Sequence, residues 1–108
     1  MQPSSVKEHF PHVKQCIDNA AQLCQITKDV PDELRDSLSR LGRESDEAKQ
    51  LLEQEKDEDN IRQCVDRLEK LGDRSMQACK QSGKIDWEVE SAVREAHDAI
   101  ADLKHRLH

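Results

Sequence analysis

The sequence "DSLSRLGRES" (residues 36–45) carries leucines at helical spacing and places a glycine where the pattern asks for the middle of a helix. The sequence "DRLEKLGDRS" (residues 66–75) repeats this arrangement thirty residues later. Apolar residues that recur every three or four positions indicate an amphipathic helix. A glycine inside a helix costs about 1 kcal/mol relative to alanine. Gly42 and Gly72 therefore need a structural explanation.

The two stretches share six identities in thirteen positions when residues 36–48 are aligned with residues 66–78. Two copies are too few for a solenoid, so we interpret the pattern as similar register constraints on two packed helices. Small residues let helix axes approach closely. We therefore expect Gly42 and Gly72 to form part of a tight waist; in the alternative interpretation, either glycine ends a shorter helix. The other small residues of the expected waist are Ala20, Ala21, Ser45, Ala48, Ser75, Ala78, Ala92, Ala96 and Ala99.

The apolar pattern predicts four helices, and local signals indicate their ends. Gly83 is expected just past helix 3 in the left-handed conformation that ends many helices. Asp86 is expected to cap helix 4. The predicted helices run from Ser5 or Pro11 to Lys28, from Pro31 into residues 53–60, from Asp59 to residues 80–84, and from Asp86 onward.

Each predicted helix presents one apolar stripe, and the connections are only a few residues long. Short connections favour antiparallel neighbours, so we predict an all-α, antiparallel up-down-up-down four-helix bundle that forms a single domain over residues 1–108. The alternative is a long helical hairpin that completes its core by dimerisation. The stripes contain Val6, Phe10, Val13, Ile17, Ala20, Ala21 and Cys24; Leu34, Leu38, Leu41, Ser45, Ala48 and Leu52; Ile61, Cys64, Val65, Leu68, Leu71, Ser75 and Cys79; and Val89, Ala92, Val93, Ala96, Ile100, Leu103 and Leu107.

Composition and charge argue against several classes of partner. Charged residues make up 37% of the chain, their signs are mixed, and the net charge is −6. Nucleic-acid binders typically show a basic patch and stacking aromatic residues, and this composition predicts neither. No apolar run is long enough to span a membrane, and the first ten residues lack the pattern of a signal peptide. We therefore expect a cytoplasmic protein with reduced cysteines and with no nucleic-acid or membrane partner.

The four cysteines are the main candidates for chemistry. The chain has no C-x-x-C pair, so neither structural zinc nor a thioredoxin-like role has support. Cys24, Cys64 and Cys79 lie on apolar stripes, where free cysteine behaves as a small hydrophobe. Cys24 and Cys79 are expected at one level of the bundle, on diagonal helices. Cys16 lies at the edge of its stripe and is the candidate reactive thiol.

Three apolar residues fall outside the main stripes of helices 1 and 4, namely Leu23, Ile26 and Trp87. Such residues indicate a candidate interface, since apolar side chains left outside a core mark partner surfaces. Trp87 has two interpretations. It either covers the end of the bundle beneath the third loop, which is the simpler structural role, or it lies exposed as an interface anchor.

The sequence contains no nucleophile elbow, no phosphate-binding loop and no Glu-x-x-His pair, so we predict no catalytic residue, no metal site and no cofactor. With 34% hydrophobic residues and only two aromatic ones, the core is lean, and association would bury more surface. We therefore expect a non-enzymatic module that acts through a protein partner or through self-association, with a homodimer as one form. The alternative is a thiol- or metal-responsive bundle that uses its four cysteines.

Overall fold

The computed structural model describes residues 3–54, 58–83 and 85–106, with side chains from residue 6 onward, Glu58 excepted. The described residues form four α-helices and no β-strand. The helices are α1 (Pro3–Ile26), α2 (Asp32–Glu53), α3 (Glu58–Ser82) and α4 (Trp87–Arg106).

The helices pack in chain order around a square. Each of the four packs against its two neighbours, α4 closes the ring against α1, and the described residues of diagonal helices bring no Cα atoms within 8 Å of each other. Short connections make consecutive helices antiparallel, and the predicted up-down-up-down bundle is confirmed. The alternative prediction of a long helical hairpin is wrong, because the chain encloses a core with its own four helices.

The helix ends follow the local signals closely at the third loop. Gly83 has a φ of +68°, in the left-handed region predicted for it. The backbone N–H of Glu88 donates a hydrogen bond of 2.9 Å to Asp86 Oδ1, so Asp86 caps α4 as predicted. The first loop also contains a residue with positive φ, Asp29 at 64°. Short side chains such as Asp tolerate this conformation better than most.

The prolines are placed differently from the prediction. Helix α1 begins at Pro3, before both predicted starts, and continues through Pro11. Pro11 is exposed, so the backbone hydrogen bond that its missing N–H removes lies on the side that water reaches. Pro31 immediately precedes α2 instead of beginning it, and Asp32 and Glu33 occupy the first turn. Their negative charge suits the positive end of the helix dipole.

The predicted stripes form the core, with small differences. Ala21 and Leu71 are only half-buried, and Leu107 lies outside the described residues. Two buried serines satisfy their hydroxyl groups on their own helices: Ser45 Oγ donates to the Gly42 carbonyl oxygen at 2.7 Å, and Ser75 Oγ to the Leu71 carbonyl oxygen at 2.9 Å. The buried side chains of the stripes are Val6, Phe10, Val13, Ile17, Ala20, Cys24, Leu34, Leu38, Leu41, Ser45, Ala48, Leu52, Ile61, Cys64, Val65, Leu68, Ser75, Cys79, Val89, Ala92, Val93, Ala96, Ile100 and Leu103.

Each of the four seams between neighbouring helices has an ion pair or a histidine–carboxylate contact. Exposed pairs contribute only about 0–1 kcal/mol each, so they select the register of the helices more than they stabilise the fold. The contacts are Lys14 Nζ with Asp46 Oδ1 at 2.7 Å, Arg67 Nε with Glu44 Oε2 at 3.0 Å, Lys104 Nζ with Glu69 Oε1 at 2.7 Å, and His9 Nε2 with Asp102 Oδ2 at 4.0 Å.

The two repeated glycines lie inside continuous helices, so the interpretation that they end shorter helices is wrong. A Cβ atom at Gly72 would lie 3.4 Å from Ile100 Cδ1 and 3.8 Å from His97 Cδ2. Gly72 thus faces α4, as the waist hypothesis expects, although a Cβ atom there would make ordinary van der Waals contact with its neighbours. A Cβ atom at Gly42 would meet nothing within 4 Å. The waist hypothesis is therefore wrong for Gly42, because no contact with a neighbouring helix offsets the cost of a glycine inside α2.

The glycine pair provides a direct stability test. Gly42→Ala is expected to raise the free energy of unfolding by about 1 kcal/mol, because alanine favours the helix and its methyl group meets no neighbour. Gly72→Ala is expected to raise the free energy of unfolding by a similar amount, because its methyl group would make ordinary van der Waals contact with Ile100. Gly42→Leu is expected to be tolerated. Gly72→Leu is expected to lower the free energy of unfolding by about 1–3 kcal/mol, because the larger side chain would overpack the contact with α4. Urea denaturation measures all four variants, and equal effects of the two leucine substitutions would contradict this assignment.

Candidate functional site

An apolar surface lies at the end of the bundle where α1 finishes and α4 begins. These helices are antiparallel neighbours, so Ile26 and Trp87 belong to the same end. Their side chains are 71% and 77% exposed, and no other large apolar side chain in the described residues is exposed. Leu23, one turn before Ile26, is half-buried against the core. We call Leu23, Ile26 and Trp87 the apolar end surface.

Ile85, not Trp87, covers this end of the core. Ile85 lies in the third loop and packs, half-buried, against the core. Asp86 then caps α4 and Trp87 begins it, two residues before the buried Val89 and therefore about 200° around the helix from it. The interpretation of Trp87 as a cover for the bundle end is wrong. Trp87 instead adopts the exposed arrangement of the second interpretation.

The three cysteines predicted in the core are buried, and burial makes them poor nucleophiles. Burial raises the pKa of Cys24 to about 11, and the Cys79 thiol contributes in the same direction, as expected for two cysteines at one level. Burial also raises the pKa of Cys79 to about 11, with Glu90 contributing. The pKa of Cys64 is raised by burial and then by Glu44. A thiol with a raised pKa holds little of the reactive thiolate at neutral pH.

Cys16 is the most accessible of the four thiols, since it is half-exposed on α1. His12, one turn earlier, places Nε2 3.8 Å from Cys16 Sγ. The pKa of Cys16 is nevertheless raised, first by burial and then by the Glu95 carboxylate on α4. The position of Cys16 favours access by a reagent, whereas its charge environment does not favour the thiolate.

The described residues contain no group of three or more His, Cys, Asp or Glu side chains arranged to hold a metal ion. His9 and His97 each face a carboxylate on a neighbouring helix instead, and His97 Nε2 lies 2.7 Å from Asp73 Oδ1. No helix within the described part of the chain is long and apolar enough to cross a membrane.

A groove between α2 and α3 gathers basic residues that the sequence analysis did not group. Its volume is about 370 Å³, and Leu71 and Glu44 contribute to its lining. A helical-wheel signal was present, because Arg67, Lys70 and Arg74 follow one another at spacings of three and four residues. We call the five basic lining residues the basic groove; they are Arg40, Arg43, Arg67, Lys70 and Arg74.

Burial of the core thiols predicts a loss of stability at alkaline pH. Cys24 and Cys79 keep their protons in the folded state up to a pKa of about 11, whereas exposed thiols in the unfolded chain ionise near 9.0. Unfolding then releases protons, so the free energy of unfolding is expected to fall as the pH rises from about 9 toward 11. Urea denaturation under reducing conditions, between about pH 7.5 and about pH 9.5, measures the beginning of this fall.

The control for this measurement is the double variant Cys24→Ala/Cys79→Ala. It is expected to be less stable at neutral pH, because two buried side chains become smaller. Its stability should depend less on pH over the same interval, where the lysine side chains remain charged. Identical pH slopes for the two proteins would contradict the assignment.

Thiol labelling of the native protein tests the placement of Cys16. A small alkylating reagent is expected to modify Cys16 first, and more slowly than it modifies an unstructured cysteine peptide, because the pKa of Cys16 is raised. Cys24, Cys64 and Cys79 are expected to react only on the timescale of unfolding. Mass spectrometry of digested samples gives the order. Reaction of Cys16 faster than the peptide would contradict the raised pKa and favour the thiol-responsive alternative.

Comparison with known protein families, curated proteins and solved structures finds no match to this chain. A function must therefore be inferred from the surfaces and side chains of the bundle alone. Among these, the apolar end surface is the feature that the core does not explain, because neither Ile26 nor Trp87 is needed to enclose it.

Proposed function

We propose that this protein is a non-enzymatic binding module that acts through its apolar end surface. The exposure of Trp87 and Ile26, at 77% and 71%, carries the proposal. Tryptophan is enriched among the residues that dominate binding energy at interfaces, since its large surface gains much on burial. An exposed Trp and Ile on adjacent helix ends, with Leu23 beside them, supply the apolar centre of such an interface.

The partner that we propose is a second copy of this chain. In a two-fold contact, Ile26 of one protomer would meet Trp87 of its partner. The charges around the apolar end surface support this pairing, because Lys28 follows α1 and Glu88 lies in the first turn of α4. Neither Lys28 nor Glu88 forms an ion pair with the described residues. A two-fold contact would bring these opposite charges together across the interface.

Two further observations bear on the compartment and on the alternative function. All four cysteines are free, which supports a reducing compartment such as the cytosol. The thiol- or metal-responsive alternative draws support from the exposure of Cys16 and from the closeness of His12. The raised pKa values of all four thiols weigh against it, and self-association remains the function that we favour.

Native mass spectrometry of the reduced protein tests this proposal, with tryptophan fluorescence beside it. We expect a metal-free dimer whose emission shifts to shorter wavelength as concentration rises, because Trp87 is the single tryptophan and becomes buried. Trp87→Ser and Ile26→Gln are each expected to weaken the dimer by at least about tenfold. The control, Gln63→Ser, changes an exposed residue on α3, away from this end, and should leave the dimer intact.

Two outcomes would overturn the proposal. A monomer at all accessible concentrations would show that the apolar end surface does not pair with itself. A species that carries zinc, iron or copper would favour the metal-responsive alternative. Both Trp87 and Ile26 are exposed, so their variants should fold, and circular dichroism verifies their helix content.

A further inference from the structure

The basic groove concentrates positive charge on a protein that is acidic as a whole. The chain has a net charge of −6, yet five of the seven residues that line the groove are basic and only Glu44 is acidic. Like charges that share a small volume repel one another unless an anion lies between them. The fold thus maintains a local arrangement that opposes the overall charge.

Part of this charge is already compensated. Arg67 Nε lies 3.0 Å from Glu44 Oε2, and Arg67 Nη2 lies 3.9 Å from Glu47 Oε2. Arg40 Nε lies 3.2 Å from Asp36 Oδ2 on its own helix. These contacts compensate the charges of Arg40 and Arg67, two of the five basic residues of the basic groove.

The remaining three cations have no such partner. Arg43, Lys70 and Arg74 form no ion pair with any described residue. Lys70 and Arg74 are separated by one helical turn of α3, about 6 Å along the axis, and Arg43 faces the same groove from α2. Leu71, half-buried, lies between them on α3. Three cations without an ion-pair partner among the described residues therefore line the same groove as the apolar side chain of Leu71.

We propose that the basic groove binds a short acidic segment of a partner protein, whose carboxylates pair with Arg43, Lys70 and Arg74. Guanidinium groups bind carboxylates through two parallel hydrogen bonds, which gives the site geometric selectivity. An apolar side chain of the segment would contact Leu71 and the aliphatic stems of the basic residues. This second site lies on the α2–α3 face, whereas the proposed self-association uses the ends of α1 and α4.

The observations favour an acidic protein segment over a nucleic acid. No aromatic residue lines the groove, so unpaired bases would find no stacking platform. A long polyanion would also be repelled by the remaining surface, because the whole chain is negative. A short segment that carries a few carboxylates experiences mainly the local positive charge and also benefits from the contact with Leu71.

The test uses a labelled helical peptide with glutamates three and four positions apart around one leucine. Fluorescence anisotropy at low salt is expected to show saturable binding to the wild-type protein, weakened by added salt. Arg43→Gln/Arg74→Gln keeps most of each stem and removes two charges, and it is expected to lose at least about tenfold in affinity. Lys49→Gln/Lys80→Gln is the matched control, because it removes two exposed charges from the same helices outside the groove.

Three results would overturn the proposal: no binding of the glutamate peptide, equal losses in the groove and control variants, or tighter binding of a single-stranded oligonucleotide than of the peptide. A peptide with lysine in place of glutamate should not bind. Trp87→Ser should bind the glutamate peptide as the wild-type protein does, so failure of self-association and failure of this site are distinguishable. All substituted residues are exposed, and urea denaturation verifies that each variant is folded.

Discussion

The burial of four narrow apolar stripes against one another is the constraint on which this structure depends. Among the described residues, the core consists of aliphatic side chains together with three buried cysteines, three buried serines and a single buried aromatic residue, Phe10. No pair of these helices can hide its stripes alone, because each stripe needs neighbours on both sides. The square of four antiparallel helices follows from this requirement. In this arrangement apolar burial accounts for most of the interior, and the charged residues of the described part of the chain lie outside the core.

The fold was predictable because its signals are local. Helical spacing of the apolar residues identified the core, and Gly83 and Asp86 marked the third loop through backbone conformation and capping. Local signals did not predict which residue covers the end of the bundle. Ile85 and Trp87 are two residues apart, and which of them turns inward depends on how the loop crosses the end of the bundle. Similarly, related sequence contexts surround Gly42 and Gly72, with six identities in thirteen positions, and tertiary packing distinguishes the two glycines.

The candidate surfaces differ in how far the sequence indicates them. Leu23, Ile26 and Trp87 stand out because they interrupt a helical pattern, and the antiparallel arrangement then brings two helix ends together. The basic groove depends on two helices that are distant in sequence, and its charges alternate with acidic residues along the chain. The net charge of the chain does not reveal this pattern, because acidic and basic residues cancel in the sum. Packing α2 against α3 separates the signs in part, because five of the seven residues that line the groove are basic and Glu44 is the one acidic residue among them.

Pro11 has a consequence for the motions of the bundle. A helix held by backbone hydrogen bonds opens cooperatively, but a proline interrupts the ladder and separates the turns that precede it from the turns that follow. The segment before Pro11 is therefore retained largely by its buried side chains, Val6 and Phe10. We expect it to be the part of α1 that detaches at the lowest free energy, with amide hydrogens that exchange before those of residues 13–24. Such an opening would uncover Leu52, which lines the same cavity as Phe10, and would not require the other three helices to unfold.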